Sequence, residues 1–414
     1  MRFGINTDIA FTYLLSRKRQ TAVAALGVTF GISMYIFMNS IITGTNEYFE
    51  KTTLNTTPHI RLYHDNETCN TSMLDRYNSK GTINLISNPQ LVPDDNRFYN
   101  PLAVVRQISE NKEVKEISMQ VTANVIYSSG TVVQNGTVYG VNILEQDKMF
   151  DIASTMLSGS VSDLDKSIDG ILIGSGLARK LSLKTGDRVR LVCFNGASKM
   201  LRVMGVFRTT IKSLDDTKTY VNIPVVQQLL QKDRNYITDI YINIRDHTQS
   251  PAVGGRLGQL TGYTAEAWQT ANQQSLAARQ IRDIIANAMI MAILVVAGFG
   301  IYNILNMVIY EKIKEIAILK ATGFAGKHIV SVFIGQALFI GIFGSFLGLA
   351  LGYMISFGVS RIYIGLGNVS YLPMAFYTRH YIQGLIFGIT TAFFAGYVPS
   401  VKASKVDPVK IIRG

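Results

Sequence analysis

The sequence is poor in charged residues and nearly free of cysteine. Charged side chains account for 16% of its 414 residues, against about 25% in ordinary soluble proteins, which argues against an entirely soluble chain. Its two cysteines, Cys69 and Cys193, belong to no CxxC motif and no Cys/His cluster, which excludes the usual metal and redox motifs. Either the two thiols form a disulfide outside the cytoplasm or they pack separately, and both alternatives stay open.

Catalytic motifs are also missing. The five histidines fit no HExxH pattern, and no Ser–His–Asp or paired-carboxylate motif is recognisable. GSGLARK (174–180) and GFAGKH (323–328) lack the GxxxxGK[ST] spacing of a phosphate-binding loop. We therefore expect no catalytic, cofactor-binding or metal-binding residues. Any ATP-driven work would need an ATPase on a separate polypeptide.

Long apolar runs are what the sequence does have. A membrane-spanning helix needs about 20 apolar residues, and four segments without Asp, Glu, Lys or Arg qualify. The first run is longer than a signal-peptide core and no cleavage site follows it, which favours an uncleaved anchor. The predicted transmembrane helices are residues 21–42, 284–310, 329–359 and 381–401.

Basic residues predict the orientation of these spans. Residues 1–20, 311–328 and 402–414 each contain four Lys or Arg residues, whereas the loop 360–380 contains only two. Because cytoplasmic loops are enriched in Lys and Arg, both termini are predicted to be cytoplasmic. Membrane topology then accounts for most of the net charge of +12, and no basic patch is left to suggest a nucleic-acid partner.

Residues 43–283 are therefore predicted to form a large mixed α/β domain outside the cytoplasm. Its two ends each suggest a strand–helix–strand unit, which predicts an α/β lobe (45–130 and 219–267) with an inserted β-rich lobe (131–218). Residues 65–98 are polar and rich in Asn and Pro, as in a long loop. A stalk helix is predicted over 265–283, continuing into the second span, with TNEYFEKT after the first span as its candidate partner.

The segment EKIKEIAILKATGF, which follows the second span, predicts a short amphipathic helix. Ile313, Ile316 and Ala317 follow i, i+3, i+4 spacing, and the apolar run from Ile316 to Leu319 calls for burial. Gly323 is a suitable helix stop. One side of this helix is expected to lie against its own bundle and another to be offered to a partner.

Glycines recur at every fourth position in the third span. Gly344, Gly348 and Gly352 form a repeated GxxxG pattern, which lets another helix approach closely in lipid. The partner helix belongs either to a second copy or subunit or to the same chain, and the sequence leaves both alternatives open.

Several segments resemble a known family. EKIKEIAILKATGF followed by IGQALFIGIFGSFLGLALG resembles the C-terminal segment of FtsX-type ABC transporter permeases, and ASKVDPVKIIRG (403–414) resembles their tail. GILIGSGLARKLSLKTGDRVRLV (170–192), RVMGVF (202–207) and TYVNIPVVQQLL (219–230) resemble the outer domain of lipoprotein-releasing (Lol-type) permeases, which are related to macrolide exporters.

The resemblance implies a function and a set of partners. Such permeases have four transmembrane helices and a periplasmic domain, sit in the inner membrane of Gram-negative bacteria, and pair with a second permease subunit as homodimer or heterodimer. ATP and Mg²⁺ would be bound by a cytoplasmic ABC ATPase dimer, the cargo would be a lipoprotein, and a periplasmic carrier would be a further candidate partner. The residues implied to couple to the ATPase are Glu311, Lys312, Ile313, Glu315, Ile316, Ala317, Leu319, Lys320 and Gly323.

One departure from the family keeps the function open. The Lol-type subunit that recruits the carrier extends a long loop between two strands, where this sequence has only the short turn NGAS (Asn195–Ser198). The chain would then be the other subunit, a homodimeric variant or an exporter of different cargo. Mechanical activation of a periplasmic enzyme, as in FtsX-like proteins, and efflux of the macrolide-exporter type are the alternatives to lipoprotein release.

Overall fold

The computed structural model describes residues 9–10, 12–13, 18–65, 97–209, 211–366 and 369–413. The chain divides into two compact units. We call Met1–Phe49 with Ala277–Gly414 the membrane unit and Glu50–Leu276 the outer unit. Most of the predicted long loop lies outside the described residues, and so does Cys69, on which the choice between a disulfide and two separately packed thiols depends.

Fifteen α-helices occur between residues 18 and 413 of the described part of the chain, and residues 9–10 and 12–13 are also helical. In order they are α1 (Lys18–Leu54), α2 (Pro101–Ser109), α3 (Ile143–Phe150), α4 (Ile152–Thr155), α5 (Val161–Asp165), α6 (Ser175–Lys180), α7 (Lys212–Asp215), α8 (Ile223–Leu230), α9 (Ser250–Thr261), α10 (Trp268–Ala271), α11 (Gln273–Glu311), α12 (Ile313–Ala321), α13 (Gly326–Ser360), α14 (Thr378–Ser404) and α15 (Pro408–Arg413).

The described residues also contain a short 3-10 helix, His247–Gln249, and twelve strands. They are β1 (Ile60–Tyr63), β2 (Val114–Ser129), β3 (Val132–Val141), β4 (Met156–Gly159), β5 (Gly170–Gly174), β6 (Arg188–Cys193), β7 (Ser198–Phe207), β8 (Lys218–Asn222), β9 (Asp239–Ile244), β10 (Thr264–Ala267), β11 (Tyr363–Leu366) and β12 (Val369–Tyr371).

Four of these helices, α1, α11, α13 and α14, are long and apolar enough to cross a membrane. Each contains one predicted span. Their packing gives the membrane unit a core of small and branched side chains, including Ala25, Ile32, Ile301 and Ala392. Together with the α/β outer unit, this architecture confirms the predicted fold class.

The outer unit contains the two predicted strand–helix–strand units, β1–α2–β2 and β9–α9–β10. The strand order β10-β1-β9-β2, with all neighbours antiparallel, interleaves the two units as in a ferredoxin-like arrangement. Ala103 donates its amide to the side chain of Asn100, and Pro101 occupies the first turn, so local capping explains where α2 begins.

Strand β2 joins the two predicted lobes. Its first half pairs with β9, and its second half pairs with β3 and β6 of the inserted region. Strands β1 to β10 form one ten-stranded sheet: nine follow the order β10-β1-β9-β2-β3-β8-β5-β7-β4, and the tenth, β6, pairs with both β2 and β7. The main core of the sheet draws apolar side chains from both predicted lobes, with Tyr127 fully buried and hydrogen-bonded to Thr219.

The predicted stalk helix over 265–283 is wrong at its start. Ala265 and Ala267 lie in β10, in register with Leu62 and Ile60 of β1. The long helix begins only at Gln273, after the short α10 and the non-helical backbone of Asn272. Sheet pairing thus overrides the helix propensity of this alanine-rich segment. At 1.5 Å per residue, the 39 residues of α11 extend about 59 Å.

Candidate functional site

Helix α12 follows α11 after a single residue. The N–H of Lys312 donates to the carbonyl of Val308 (3.0 Å), and its own carbonyl accepts from Ile316 (2.9 Å), so hydrogen bonding continues through the joint. At the other end Gly323 has a φ of +103°, and Phe324 donates back to the carbonyl of Leu319 (3.1 Å). A positive φ is what lets this glycine end the helix.

One face of α12 is buried within the membrane unit. Ile316 and Ala317 are 1% and 0% exposed. Ile316 packs with Val308 and Ile309 of α11 and with Phe333 of α13. Ile313, predicted to lie on the same face, is half-buried. The helix is therefore fixed to the ends of the helices on either side of it in sequence.

Another face of α12, beside the buried one, is exposed. Ile318 is 56% exposed, which corrects the expectation that the whole run from Ile316 to Leu319 is buried. Lys314, Ile318 and Ala321 follow i, i+4, i+7 spacing and are all exposed, so they share one surface. The centre of this surface is the apolar side chain of Ile318, and the charged side chain of Lys314 lies at one end of it.

Lys312 and Glu315 form an ion pair at the start of α12. The Nζ of Lys312 lies 2.5 Å from the carboxylate of Glu315 and 5.2 Å from the centre of the Tyr13 ring. The hydrogen bond from Lys312 holds the pKa of Glu315 below its usual value. Burial, together with a hydrogen bond to Glu315, raises the pKa of Tyr13 to about 12, so at neutral pH the phenol is a neutral donor to an ionised carboxylate.

Lys320 turns toward the C-terminal end of α14. Its ammonium donates to the carbonyls of Ser404 (2.8 Å) and Val406 (2.7 Å). Ser404 is the last residue of α14, where unpaired carbonyls attract a positive charge. Lys320, one of the predicted coupling residues, therefore ties α12 to its own chain.

The glycines Gly344, Gly348 and Gly352 of α13 lie against α1. A Cβ atom on Gly348 would lie 2.8 Å from the Cβ of Ile32, and the other two glycines approach Val28 and Ile36 just as closely. Thr29 also donates to the carbonyl of Gly344 (3.1 Å). We call Gly344, Gly348 and Gly352 the glycine seam. The helix that approaches it belongs to the same chain, which is one of the two alternatives left open by the sequence.

A group of side-chain hydrogen bonds links α1 to α11, the helix predicted as a stalk. Asn46, within the TNEYFEKT segment, is buried, and its Nδ2 donates to Asp283 (3.1 Å) while its Oδ1 accepts from Arg282. Both helices have residues in the two units. We call Asn46, Arg282 and Asp283 the stalk clasp.

Comparison with known proteins identifies the family. The FtsX-like permease C-terminal domain matches residues 287–408, and the MacB-like periplasmic core domain matches residues 21–260. The chain belongs to the FtsX/MacB-type ABC transporter permeases. This confirms the resemblance drawn from the sequence.

Individual relatives resemble the permease over its whole length. The lipoprotein-releasing system transmembrane protein LolC of Neisseria meningitidis is 21% identical, covering 99% of both chains. LolC of Haemophilus influenzae is 22% identical, covering 100% of both. Among solved structures, the periplasmic region of MacB from Actinobacillus actinomycetemcomitans is similar over 54% of this chain and 94% of that chain, with 15% identity and a TM-score of 0.34.

The structure of the permease divides the predicted coupling residues into groups. Ile316 and Ala317 are buried, Lys320 is tied to α14, and Lys312 and Glu315 pair with each other. Sequence reasoning missed Tyr13 and the exposure of Ile318. The sequence did contain one indication that Ile318 is exposed. Ile318 lies four residues after Lys314, so the two share a helix face, and the lysine indicates that this face is in contact with solvent.

The described residues contain no metal-binding cluster of three or more His, Cys, Asp or Glu side chains. His59 and His247 lie side by side in the outer unit, with ring centres 5.8 Å apart. Burial and the neighbouring His247 lower the pKa of His59, and its Nδ1 accepts a hydrogen bond from the amide of Ile244 (3.1 Å). His59 directly precedes β1 and Ile244 ends β9, so this hydrogen bond joins the ends of two neighbouring strands.

Proposed function

We propose that this permease couples ATP hydrolysis by a separate cytoplasmic ABC ATPase dimer to mechanical work by its periplasmic domain. In this proposal ATP and Mg²⁺ bind only to the ATPase, and both termini and α12 are cytoplasmic. A second permease subunit, identical or related, completes the transporter in the inner membrane of a Gram-negative bacterium.

The observation that carries the proposal is the two-faced packing of α12. Its inner face is fixed by Ile316 and Ala317 to the membrane unit, while Ile318 and Lys314 are exposed. Burial of the exposed Ile318 side chain against a partner would remove apolar surface from water, which favours association, and the flanking Lys314 would lie at the more polar rim of such a contact. The one-residue joint at Lys312 would carry a displacement of α12 into α11.

The proposed work is the release of lipoproteins from the inner membrane. Its support is the likeness to LolC proteins along the full chain. A periplasmic carrier would receive the released lipoprotein. The short connection between β6 and β7, closed by a hydrogen bond from Cys193 to the carbonyl of Ala197 (2.9 Å), instead favours a carrier-independent role such as mechanical activation or efflux.

Purification of the tagged permease from membranes of its own organism tests the first part of the proposal. An ABC ATPase should be recovered with it, and recovery of none would exclude the ATP-driven mechanism. The purified complex is then placed in vesicles with a labelled lipoprotein, ATP and a soluble carrier fraction.

ATP-dependent appearance of the lipoprotein in the soluble fraction supports release. A complex that hydrolyses ATP but leaves the lipoprotein in the vesicles would exclude lipoprotein release and leave mechanical activation or efflux. Ile318→Asp permease serves as the uncoupled control, because its exposed position spares the fold.

A further inference from the structure

The segment between α13 and α14 carries a separate small hairpin. Strands β11 and β12 pair only with each other among the described strands. A two-stranded hairpin is at best marginally stable in water by itself. Its stability therefore depends on what its side chains contact.

Aromatic side chains dominate the exposed surface of this region. Tyr363 is 72% exposed and Tyr371 57% exposed, and their rings meet edge to face with centres 6.1 Å apart. Phe376 and Tyr377 follow, and both are exposed. We call Tyr353, Tyr363, Tyr371, Phe376 and Tyr377 the aromatic cluster.

The aromatic cluster is continuous with the surface of a membrane-spanning helix. Tyr353 of α13 is exposed, and its ring centre lies 5.7 Å from that of Phe376. Beyond the cluster, α13 exposes Met354, Phe346 and Phe343, an apolar surface that faces lipid in a spanning helix. The guanidinium of Arg361 lies 4.5 Å from the ring centre of Phe357 at the end of the same helix.

The chain after the hairpin is held against α1. Ala375 donates its amide to the carbonyl of Ser40 (2.9 Å), and Gly44 lies so close to Pro373 that a Cβ atom would be 2.5 Å from its carbonyl oxygen. Only glycine allows this approach. The aromatic cluster is thereby fixed near the ends of three spanning helices.

We propose that the aromatic cluster inserts into the headgroup region of the bilayer, where it anchors this end of the membrane unit. Tyrosine is enriched at membrane–water interfaces because its ring is apolar and its hydroxyl is polar. Among the described strands, β11 and β12 have no further neighbour at their outer edges, and hydrocarbon does not satisfy backbone groups at an open sheet edge. The polar headgroup layer accommodates both the rings and these edges.

Tryptophan fluorescence in vesicles tests this anchor. The single tryptophan is first removed as Trp268→Phe, and Tyr363→Trp or Tyr371→Trp is then introduced. Phe194→Trp, at an 83% exposed aromatic position on the outer unit, is the matched control. The vesicles contain phosphatidylethanolamine and phosphatidylglycerol, with part of the lipid brominated on the acyl chain near the headgroup.

Both cluster probes should emit at shorter wavelength than the Phe194→Trp control, and brominated lipid should quench them. Iodide in the buffer should quench the control more strongly. Cluster probes that emit as in water and are quenched by iodide but not by brominated lipid would overturn the anchor.

If the cluster probes became protected from iodide only after a protein was added, the membrane anchor would equally be overturned. That result would indicate a polypeptide partner. The thermal unfolding temperature of each variant confirms that it is folded. No step of the experiment involves ATP or cargo, so its outcome is independent of the proposed function.

Discussion

The side-chain amide of Asn46 donates a hydrogen bond to the carboxylate of Asp283 over 3.1 Å. The other end of the same amide accepts from Arg282, so both polar atoms of a buried asparagine are used. Leaving such a group without partners costs about 1–3 kcal/mol. The stalk clasp therefore favours one arrangement of α1 relative to α11.

Replacing the clasp amide should uncouple the proposed transporter. In Asn46→Ala, we expect ATP hydrolysis by the complex to persist while cargo released per ATP falls, because α11 can move without α1. The measurement is the ratio of release to hydrolysis in vesicles. Asn39→Ala is the matched control on the same helix, since the side-chain amide of Asn39 donates within α1, to the carbonyl of Tyr35. An unchanged ratio in Asn46→Ala would exclude a transmitting role for the clasp.

Introducing an aspartate should have different effects on the exposed and the buried face of α12. Ile318→Asp is expected to weaken binding of the ATPase by about 2 kcal/mol or more, as for a central contact residue, without changing the unfolding temperature. Ala317→Asp should instead destabilise the permease, because it buries a charge at a position with 0% exposure. Recovery of the ATPase and thermal unfolding separate the two effects. Full ATPase recovery with Ile318→Asp would remove Ile318 from the interface.

The glycine seam gives a packing prediction. Gly348→Ala places a Cβ atom 2.8 Å from Ile32, and overpacking of this kind costs about 1–3 kcal/mol. Gly358→Ala lies on the same helix with no atom within 4 Å of the new Cβ. Thermal unfolding in lipid nanodiscs should show a loss for the first variant and none for the second. Equal unfolding temperatures would contradict the close approach of α1 and α13.

The lowered pKa of His59 predicts a pH dependence. Because the folded state lowers this pKa below its unfolded value of about 6.5, the stabilisation from the neutral ring is complete above that pH and is lost as the pH falls below it. His59→Asn keeps an acceptor for the amide of Ile244 and removes the titration. The unfolding temperature of the parent should fall more between about pH 7.5 and 5.5 than that of the variant. Parallel curves would rule out His59 as the source.

The elements predicted correctly from the sequence share long, regular patterns. Uninterrupted apolar runs located the four spanning helices, and the two predicted strand–helix–strand units are present at the ends of the outer unit. The short elements between Ile143 and Asp165 were not predicted. Helices of four to eight residues complete too few turns to establish a hydrophobic period.

The sequence predicted that the candidate site is a helix, but it predicted only in part which of its side chains are buried and which are exposed. Ile316 to Leu319 occupy a full turn, so at least one of these four side chains must face away from any single contact. Periodicity does not say which neighbours lie on either side. Tyr13 and Lys320 depend on contacts with residues about 300 and 84 positions away, respectively. Such contacts leave no local pattern in the sequence.

The unequal joints of α12 have a mechanical consequence. Only the φ and ψ angles of Lys312 separate α11 from α12, and hydrogen bonds on both sides restrict them. Four residues, Thr322–Ala325, separate α12 from α13, and they include Gly323. The longer second joint leaves more backbone angles free than the first, but side chains also hold α12 there, through the packing of Ile316 against Phe333 of α13 and the hydrogen bonds of Lys320 to the end of α14. In the proposed transporter, a force applied to α12 would therefore pass into α11 through the backbone and into the bundle through these side chains.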